Sequence, residues 1–294
     1  MAGPVSVSWL CCAMGPALRS VERPWAGGRG TSESRELDLP EKSGARVSRV
    51  RLMGCPIDNL SFDETLKRIA QLVEGGGQHY HVSINVDKLL KVRSEPVLRD
   101  IVERADLLSV DGQPLLWASR LLGKPLKARV TGIDLMEALV RQSAEKGWRV
   151  FFLGARPDVV VRVTERYRHE FPELRIAGSR DGYWAATEES GVVETIRSAK
   201  PDVLFVAMSS PKKEHFIQRH LGRLAVPFVM GVGGSFDVIA GVTRRAPRWV
   251  REMGCEWFWR FLQEPRRMWK RYFVKDMRFL AVVAREFIKS HRAS

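Results

Sequence analysis

Residues 148–157 read Trp148-Arg149-Val150-Phe151-Phe152-Leu153-Gly154-Ala155-Arg156-Pro157. A short, nearly unbroken apolar run closed by glycine predicts a strand covered on both faces, over Trp148–Leu153. Pro157 suits the first position of a helix, where its missing N–H costs nothing, so the next element is predicted as a helix over Pro157–Glu170. A buried strand passing through a tight turn into a helix is half of a βαβ unit. The rest of the chain repeats it.

Working outward, Leu174–Gly178, Val203–Met208 and Pro227–Val232 are further short apolar strands, with a helix predicted over Glu188–Ala199. Toward the N-terminus, a helix is predicted over Asp134–Lys146, a strand over Asp106–Val110, a helix over Leu89–Ala105 and a strand over His79–Val86. Ser61 and Glu64 have capping-box spacing and open a helix that runs to about Val73, stopped by Gly75-Gly76-Gly77. Val50–Ile57 is strand-like. The fold class that follows is α/β, a mostly parallel, Rossmann-like sheet flanked by helices on both faces. In such sheets ligands sit beyond the carboxyl ends of the strands, which selects the loops worth reading.

The two ends differ from this body. Residues 1–47 are rich in Gly, Ser, Pro, Arg and Glu without a sustained period, and are expected to be a disordered leader or sequence upstream of the true start. Residues 48–243 form the expected catalytic domain, and 244–294 a basic, aromatic C-terminal helical appendage. The 294-residue chain carries a net charge of +14. From Arg244 onward there are 14 Lys/Arg against 5 Asp/Glu, so most of the excess sits in the appendage, interleaved with Trp, Phe and Tyr. Such a helix can lie in a lipid interface or pack on the body with solvated arginines. No apolar run reaches the roughly 20 residues needed to span a bilayer. Cys11, Cys12, Cys55 and Cys255 have neither metal-ligand nor disulfide-framework spacing, which suits a reducing compartment.

Several loop residues could carry chemistry. Asp111 follows an apolar strand, beside Gly112, where a carboxylate could take a proton from an attacking hydroxyl; the alternative is a turn aspartate bonding its own backbone. Ser83 and Asn85 share one face at a strand end and could hold sugar hydroxyls or simply finish the strand. Arg129 and Thr131 precede a helix, and Arg129 could face a diphosphate or be a solvated surface arginine. Lys212 and Lys213 stand at a helix start, where they oppose the helix dipole and would gain from a bound anion. Gly231 and Gly233 belong to a glycine-rich loop whose amides could approach a nucleotide, with Asp237 able to accept from ribose hydroxyls. Tyr183 could stack on a base or be an ordinary packed aromatic. No D-x-D pair or His/Cys constellation suggests a metal site, and no cofactor is called for.

Taken in order, these pieces resemble the WecG/TagA/CpsF family of glycosyltransferases. The matching residues are Ser83-x-Asn85, Ala105-Asp106 through Asp111-Gly112, Arg129-Val130-Thr131-Gly132-x-Asp134, Phe152-Leu153-Gly154 and Pro211-Lys212-Lys213-Glu214. The series continues with Gly231-x-Gly233-Gly234-x-Phe236-Asp237, Arg245-Ala246-Pro247-x-Trp249 and Glu256-Trp257-x2-Arg260-x3-Glu264-Pro265-x-Arg267. The resemblance implies a metal-independent, inverting transfer from a UDP-sugar to a polyprenyl-diphosphate-linked saccharide, at the cytoplasmic, inner face of the membrane. It puts the general base on Asp111, sugar contacts on Ser83 and Asn85, and a diphosphate or sugar contact on Arg129. The uridine falls to Tyr183 and Asp237, and the leaving diphosphate to Arg260 and Arg267. Lys213 departs from the usual Gln and would put a cation beside the donor. A homo-oligomer is compatible with this reading. The rival is a nucleic-acid-binding α/β protein without catalysis; it has the charge in its favour, but no nucleic-acid motif is present.

Overall fold

The computed structural model describes residues 48–247, 249–250, 258–259, 262 and 276–292. The expected leader, 1–47, lies outside the described residues, as do Arg260 and Arg267. Among the described residues, eight strands and ten α-helices have defined bounds, with one short 3-10 turn at Ala186–Glu188. They are β1 Arg49–Leu52, β2 Cys55–Asp58, α1 Phe62–Glu74, β3 His79–Ile84, α2 Val86–Ser94, α3 Pro96–Glu103 and β4 Leu107–Val110. Then come α4 Gln113–Leu121, α5 Gly132–Lys146, β5 Arg149–Gly154, α6 Pro157–Glu170, β6 Arg175–Arg180 and α7 Glu189–Ala199. The series closes with β7 Val203–Ala207, α8 Lys212–Leu224, β8 Phe228–Gly231, α9 Ser235–Ile239 and α10 Asp276–Arg292.

Six strands make one parallel sheet in the order β4-β3-β8-β7-β5-β6. Two apolar clusters cover its faces. One gathers Leu89 and Val92 of α2, Leu98 and Ile101 of α3, and Phe216 and Ile217 of α8. The other gathers Leu135 and Leu139 of α5, Val159 and Val163 of α6, and Phe236 of α9. Alternate strand residues divide between them, Leu204 and Val206 to the first and Val203 and Phe205 to the second. Steps toward β4 (β3 to β4, β6 to β7, β7 to β8) run through helices of the first cluster. Steps toward β6 return to the sheet through α5 (β4 to β5, after α4, which packs in the first cluster) and α6 (β5 to β6) of the second. A single crossover hand requires that division.

Phe152 shows what anchors the strand that decides the fold. Its ring stacks on Phe205 and Tyr167, each 5.7 Å away, and meets Phe236 edge-on at 5.9 Å. All four rings are fully or almost fully buried, and truncating such a residue costs about 3–5 kcal/mol. The cluster therefore holds β5, β7, α6 and α9 together directly beneath the loops that follow β5 and β7.

Local rules explain most boundaries. Ser61 and Glu64 form the expected capping box. The strand-like stretch 50–57 is a hairpin, turning through Met53 and Gly54, both with positive φ (51° and 84°), as a tight two-residue turn demands. The single helix predicted over Leu89–Ala105 is two, because Pro96 forces Glu95 into an extended conformation (φ −113°, ψ 102°). Helix α4 escapes the sequence reading: its buried residues, Leu115, Leu116, Ala118 and Ser119, share one helical face, but exposed Trp117 and Leu121 leave no polar face to mark the period. The C-terminal helix α10 packs Phe279 and Val283 into the first cluster. Among the described residues no helix is long and apolar enough to cross a membrane.

Candidate active site

Chain connectivity opens the carboxyl end of the sheet. β5 leads to α6 on one face and β7 to α8 on the other, so the loops diverge and leave a crevice between them. A cleft of about 960 Å³ occupies that place, lined by loops after β5, β6, β7 and β8. Its floor is bare backbone. Gly154 has φ +115°, and a Cβ there would stand 2.4 Å from the Ala207 carbonyl oxygen. The Ala155 amide donates to that same oxygen at 2.9 Å, and the Gly182 amide donates to Ala155 O at 2.8 Å. Three loops cross so closely that a side chain would not fit.

The cleft walls carry Arg156, Tyr183, Trp184, Ser209, Lys212, Gly233 and Asp237. The tyrosine ring is 68% exposed, and its backbone amide is held by Asp181 Oδ1 at 2.9 Å. Lys212 lies over the Trp184 ring, 5.6 Å from its centre, and that ring packs on Phe216 of the core. An exposed ring, two cations and a carboxylate at one cleft can stack on a planar group, neutralise an anion and accept from hydroxyls.

A second constellation lies at the other end of the rim. Ser83 and Ser109 are paired across β3 and β4, as are Ile84 and Val110. The Asp111 amide donates to Ile84 O at 2.8 Å, and the Val130 amide to Val110 O at 2.8 Å. Asp111, the end of β3 and the 129–131 loop are thereby tied together. Gly112, at φ 154°, turns the chain from Asp111 into α4. The Asn85 side chain accepts from Lys88 N at 2.9 Å and caps α2. Its carboxamide nitrogen has donors beyond that cap. Thr131, which is buried, accepts from Asp134 N and donates to Asp134 Oδ2, so its hydroxyl is engaged in capping α5. Arg245 reaches the same Asp134 and, at 3.5 Å, Glu137.

Between these two sites lies an arrangement absent from the sequence reading. Lys88, Glu214 and Lys213 are 3%, 2% and 8% exposed. Glu214 Oε1 lies 2.7 Å from Lys88 Nζ and 2.9 Å from Lys213 Nζ. One carboxylate serves two ammonium groups. Burial pushes the Glu214 carboxyl up, but the two lysines outweigh it and hold it down at about 2. Burial and then Lys213 push the Lys88 ammonium down to about 8, against the pull of Glu214 and Asp111. His81, with Nε2 2.8 Å from Ser109 Oγ, is driven to about 3 by burial and by both lysines, and stays neutral.

Lys213 is thus a buried partner of Glu214 rather than a solvated cation at the cleft. Its stem covers Gly231, where a Cβ would stand 2.9 Å from Cε, so that glycine makes room for a lysine. Lys88 and Trp184 were missed. The signal for Lys88 was a lysine in the first turn of a helix, the same conflict with the dipole that marks Lys212 and Lys213. Trp184 gave no signal beyond its aromatic neighbour. Among the described residues no group of three or more His, Cys, Asp or Glu side chains is arranged to hold a metal ion.

Comparison with known proteins bears on what these two sites do. The family model described as "Glycosyl transferase WecG/TagA/CpsF family" matches residues 50–293. A protein of Bacillus spizizenii named N-acetylglucosaminyldiphosphoundecaprenol N-acetyl-beta-D-mannosaminyltransferase is 34% identical over 205 residues, covering 70% of this chain and 79% of that protein. A Bacillus subtilis protein of the same name is 36% identical over 189 residues, covering 64% of this chain and 72% of its own.

Proposed function

The chain belongs to the WecG/TagA/CpsF glycosyltransferase family, and from that premise we propose that it transfers a sugar from a UDP-sugar to a polyprenyl-diphosphate-linked saccharide, by a metal-independent, inverting displacement. It is a hexosyltransferase; the donor, the stereochemistry and the metal independence are this reading's own. The observation that carries it is the pairing of two unlike sites on one rim: a nucleotide-sized cleft and, beside β3, a carboxylate flanked by hydroxyl and amide groups.

In this reading the uracil stacks on Tyr183 and the ribose hydroxyls donate to Asp237. Arg156, Lys212 and the amides around Gly233 receive the diphosphate, aided by Arg129 and by Arg260 and Arg267 of the C-terminal segment. Ser83 and Asn85 orient the sugar. Asp111 takes the proton of the acceptor hydroxyl as its oxygen attacks the anomeric carbon. The bond to the diphosphate breaks on the opposite face, UDP leaves with the bonding pair, and the anomeric centre inverts. The relatives' names point to N-acetylglucosamine on a diphosphoundecaprenol as the acceptor class. A lipid-linked acceptor places the reaction at a membrane surface, on the inner face where nucleotide sugars are made, in cell-surface polysaccharide synthesis.

The test is a panel of UDP-sugars with a short-chain polyprenyl-diphosphate acceptor, with and without chelator, comparing wild type with Asp111→Asn and Asp111→Ala. Loss of one positioned general base is expected to lower turnover about 10²–10⁴-fold with little change in donor binding. Wild-type turnover by both variants refutes the role of Asp111, and loss of activity in chelator refutes the metal-free route.

A further inference from the structure

Helix α4 begins two residues after Asp111, and one of its edges is not covered by the other described residues. Trp117 is 53% and Leu121 56% exposed, and Arg120 is exposed beside them. These residues recur at i, i+3 and i+4, a single helical stripe, and Lys124 follows just past the helix end, after the left-handed turn at Gly123. Their opposite numbers, Leu115, Leu116, Ala118 and Ser119, are buried, so the helix is firmly seated by its other side. The edge therefore sets an aromatic, a cation and an aliphatic on a fixed support, with a second cation just beyond the helix end.

Its electrostatic setting is one-sided. From Gly112 to Ile133 the chain has no acidic residue and four basic ones, Arg120, Lys124, Lys127 and Arg129. Lys127 is paired with Glu64 at 2.8 Å, and Lys124 donates to the Arg51 carbonyl at 3.2 Å, which leaves its charge uncompensated. Arg120 makes no ion pair among the described residues. A Trp at the level of headgroups, a Leu below it and cations against phosphates is the chemistry of an interfacial helix.

We propose that this edge of α4 (Trp117, Arg120, Leu121 and Lys124) is a docking surface for an anionic phospholipid bilayer, which sets the mouth of the Asp111 site against the lipid. Trp117 lies only ~6 Å along the axis from the first residue of α4. A diphosphate-linked sugar emerging from the headgroup layer at this edge meets Asp111 without leaving the interface. The choice of a bilayer as occupant rests on the lipid-linked acceptor of the proposed function, whereas the surface itself rests on exposure and charge. It is separate from the aromatic C-terminal segment, whose expected membrane contact falls mostly outside the described residues.

The test uses the full chain and vesicles of phosphatidylcholine with or without phosphatidylglycerol, free of donor and acceptor, in a flotation assay. Trp117→Ser/Leu121→Ser is expected to weaken partition at least tenfold, and Arg120→Gln/Lys124→Gln to lose about tenfold on anionic vesicles only. Both variants keep wild-type transfer to a short-chain, water-soluble acceptor. Partition equal to wild type overturns the proposal. A change of oligomeric state by sedimentation without vesicles also overturns it, because the edge is then an interface between copies. Loss of transfer to the soluble acceptor overturns it too, because the edge then serves the site. Binding is read without substrates, so a chain inactive with every UDP-sugar still passes or fails here.

Discussion

Glu214→Gln removes the single carboxylate that holds two buried lysines and changes little else in shape. At separations of 2.7 and 2.9 Å, each contact is worth about 6 kcal/mol of Coulomb attraction at an effective dielectric of about 20. The repulsion between Lys88 and Lys213, and the desolvation of three ions, several kcal/mol apiece, consume most of that gain. The amide, however, leaves both buried lysines without the carboxylate they share. A loss of about 3–5 kcal/mol in unfolding free energy near pH 6.5 is expected.

The pH dependence separates this cause from simple loss of packing. Glu214 has a folded pKa of about 2, below its ordinary value, so its contribution is present above pH 4.5 and lost as pH falls toward 2. Lys88 has a folded pKa of about 8, below its ordinary value. Below pH 8 the folded state carries the cost of a buried ammonium, and as pH rises through 8 the unfolded chain binds more protons and that cost is relieved. Without Glu214, Lys88 sheds its proton at still lower pH. The gap between wild type and variant is therefore widest between about pH 4.5 and neutrality and narrows on both sides. Urea unfolding at pH 3.5, 6.5 and 9 reads it directly. A loss under about 1 kcal/mol at pH 6.5, or one that does not vary with pH, would refute the reasoning. Lys213→Gln, which leaves one lysine for one carboxylate, is expected to be neutral or stabilising, and to reduce the cost of Glu214→Gln when combined with it.

Other outcomes follow from the site. Gly154→Ala drives a methyl group to 2.4 Å from a backbone oxygen, and is expected to cost at least about 2 kcal/mol and to weaken UDP binding, measured by thermal unfolding with and without UDP. Tyr183→Ala is expected to weaken UDP by about 1–3 kcal/mol in calorimetry while leaving stability within about 0.5 kcal/mol, since the ring is exposed; unchanged UDP affinity would remove the stacking role. Arg245→Ala breaks the bridge to Asp134 and Glu137 and is expected to cost about 1–2 kcal/mol and to speed proteolysis after residue 245, followed by mass spectrometry.

What the amino-acid order determined alone was local or periodic. The strand at 148–153 announced itself because a strand covered on both faces must be apolar throughout. The Ser61/Glu64 cap and the Pro157 helix start follow from backbone groups that need partners within a few residues. Asp111, Tyr183 and Asp237 were legible as loop residues at carboxyl strand ends, and the ordered motifs named the family. Which loops share a wall was not legible, because strand order β4-β3-β8-β7-β5-β6 depends on long-range pairing that no local pattern encodes. That order sets Asp111, after edge strand β4, apart from Tyr183, after the opposite edge strand β6, with β3, β8, β7 and β5 between them. It also decided the fate of Lys213. In sequence it was one of two neighbouring lysines at a helix start, both candidates for an anion. One turns out over Trp184 at the cleft, the other against Glu214 and Lys88 in the interior, because adjacent residues on a helix point about 100° apart and only the packed sheet says which direction is inside.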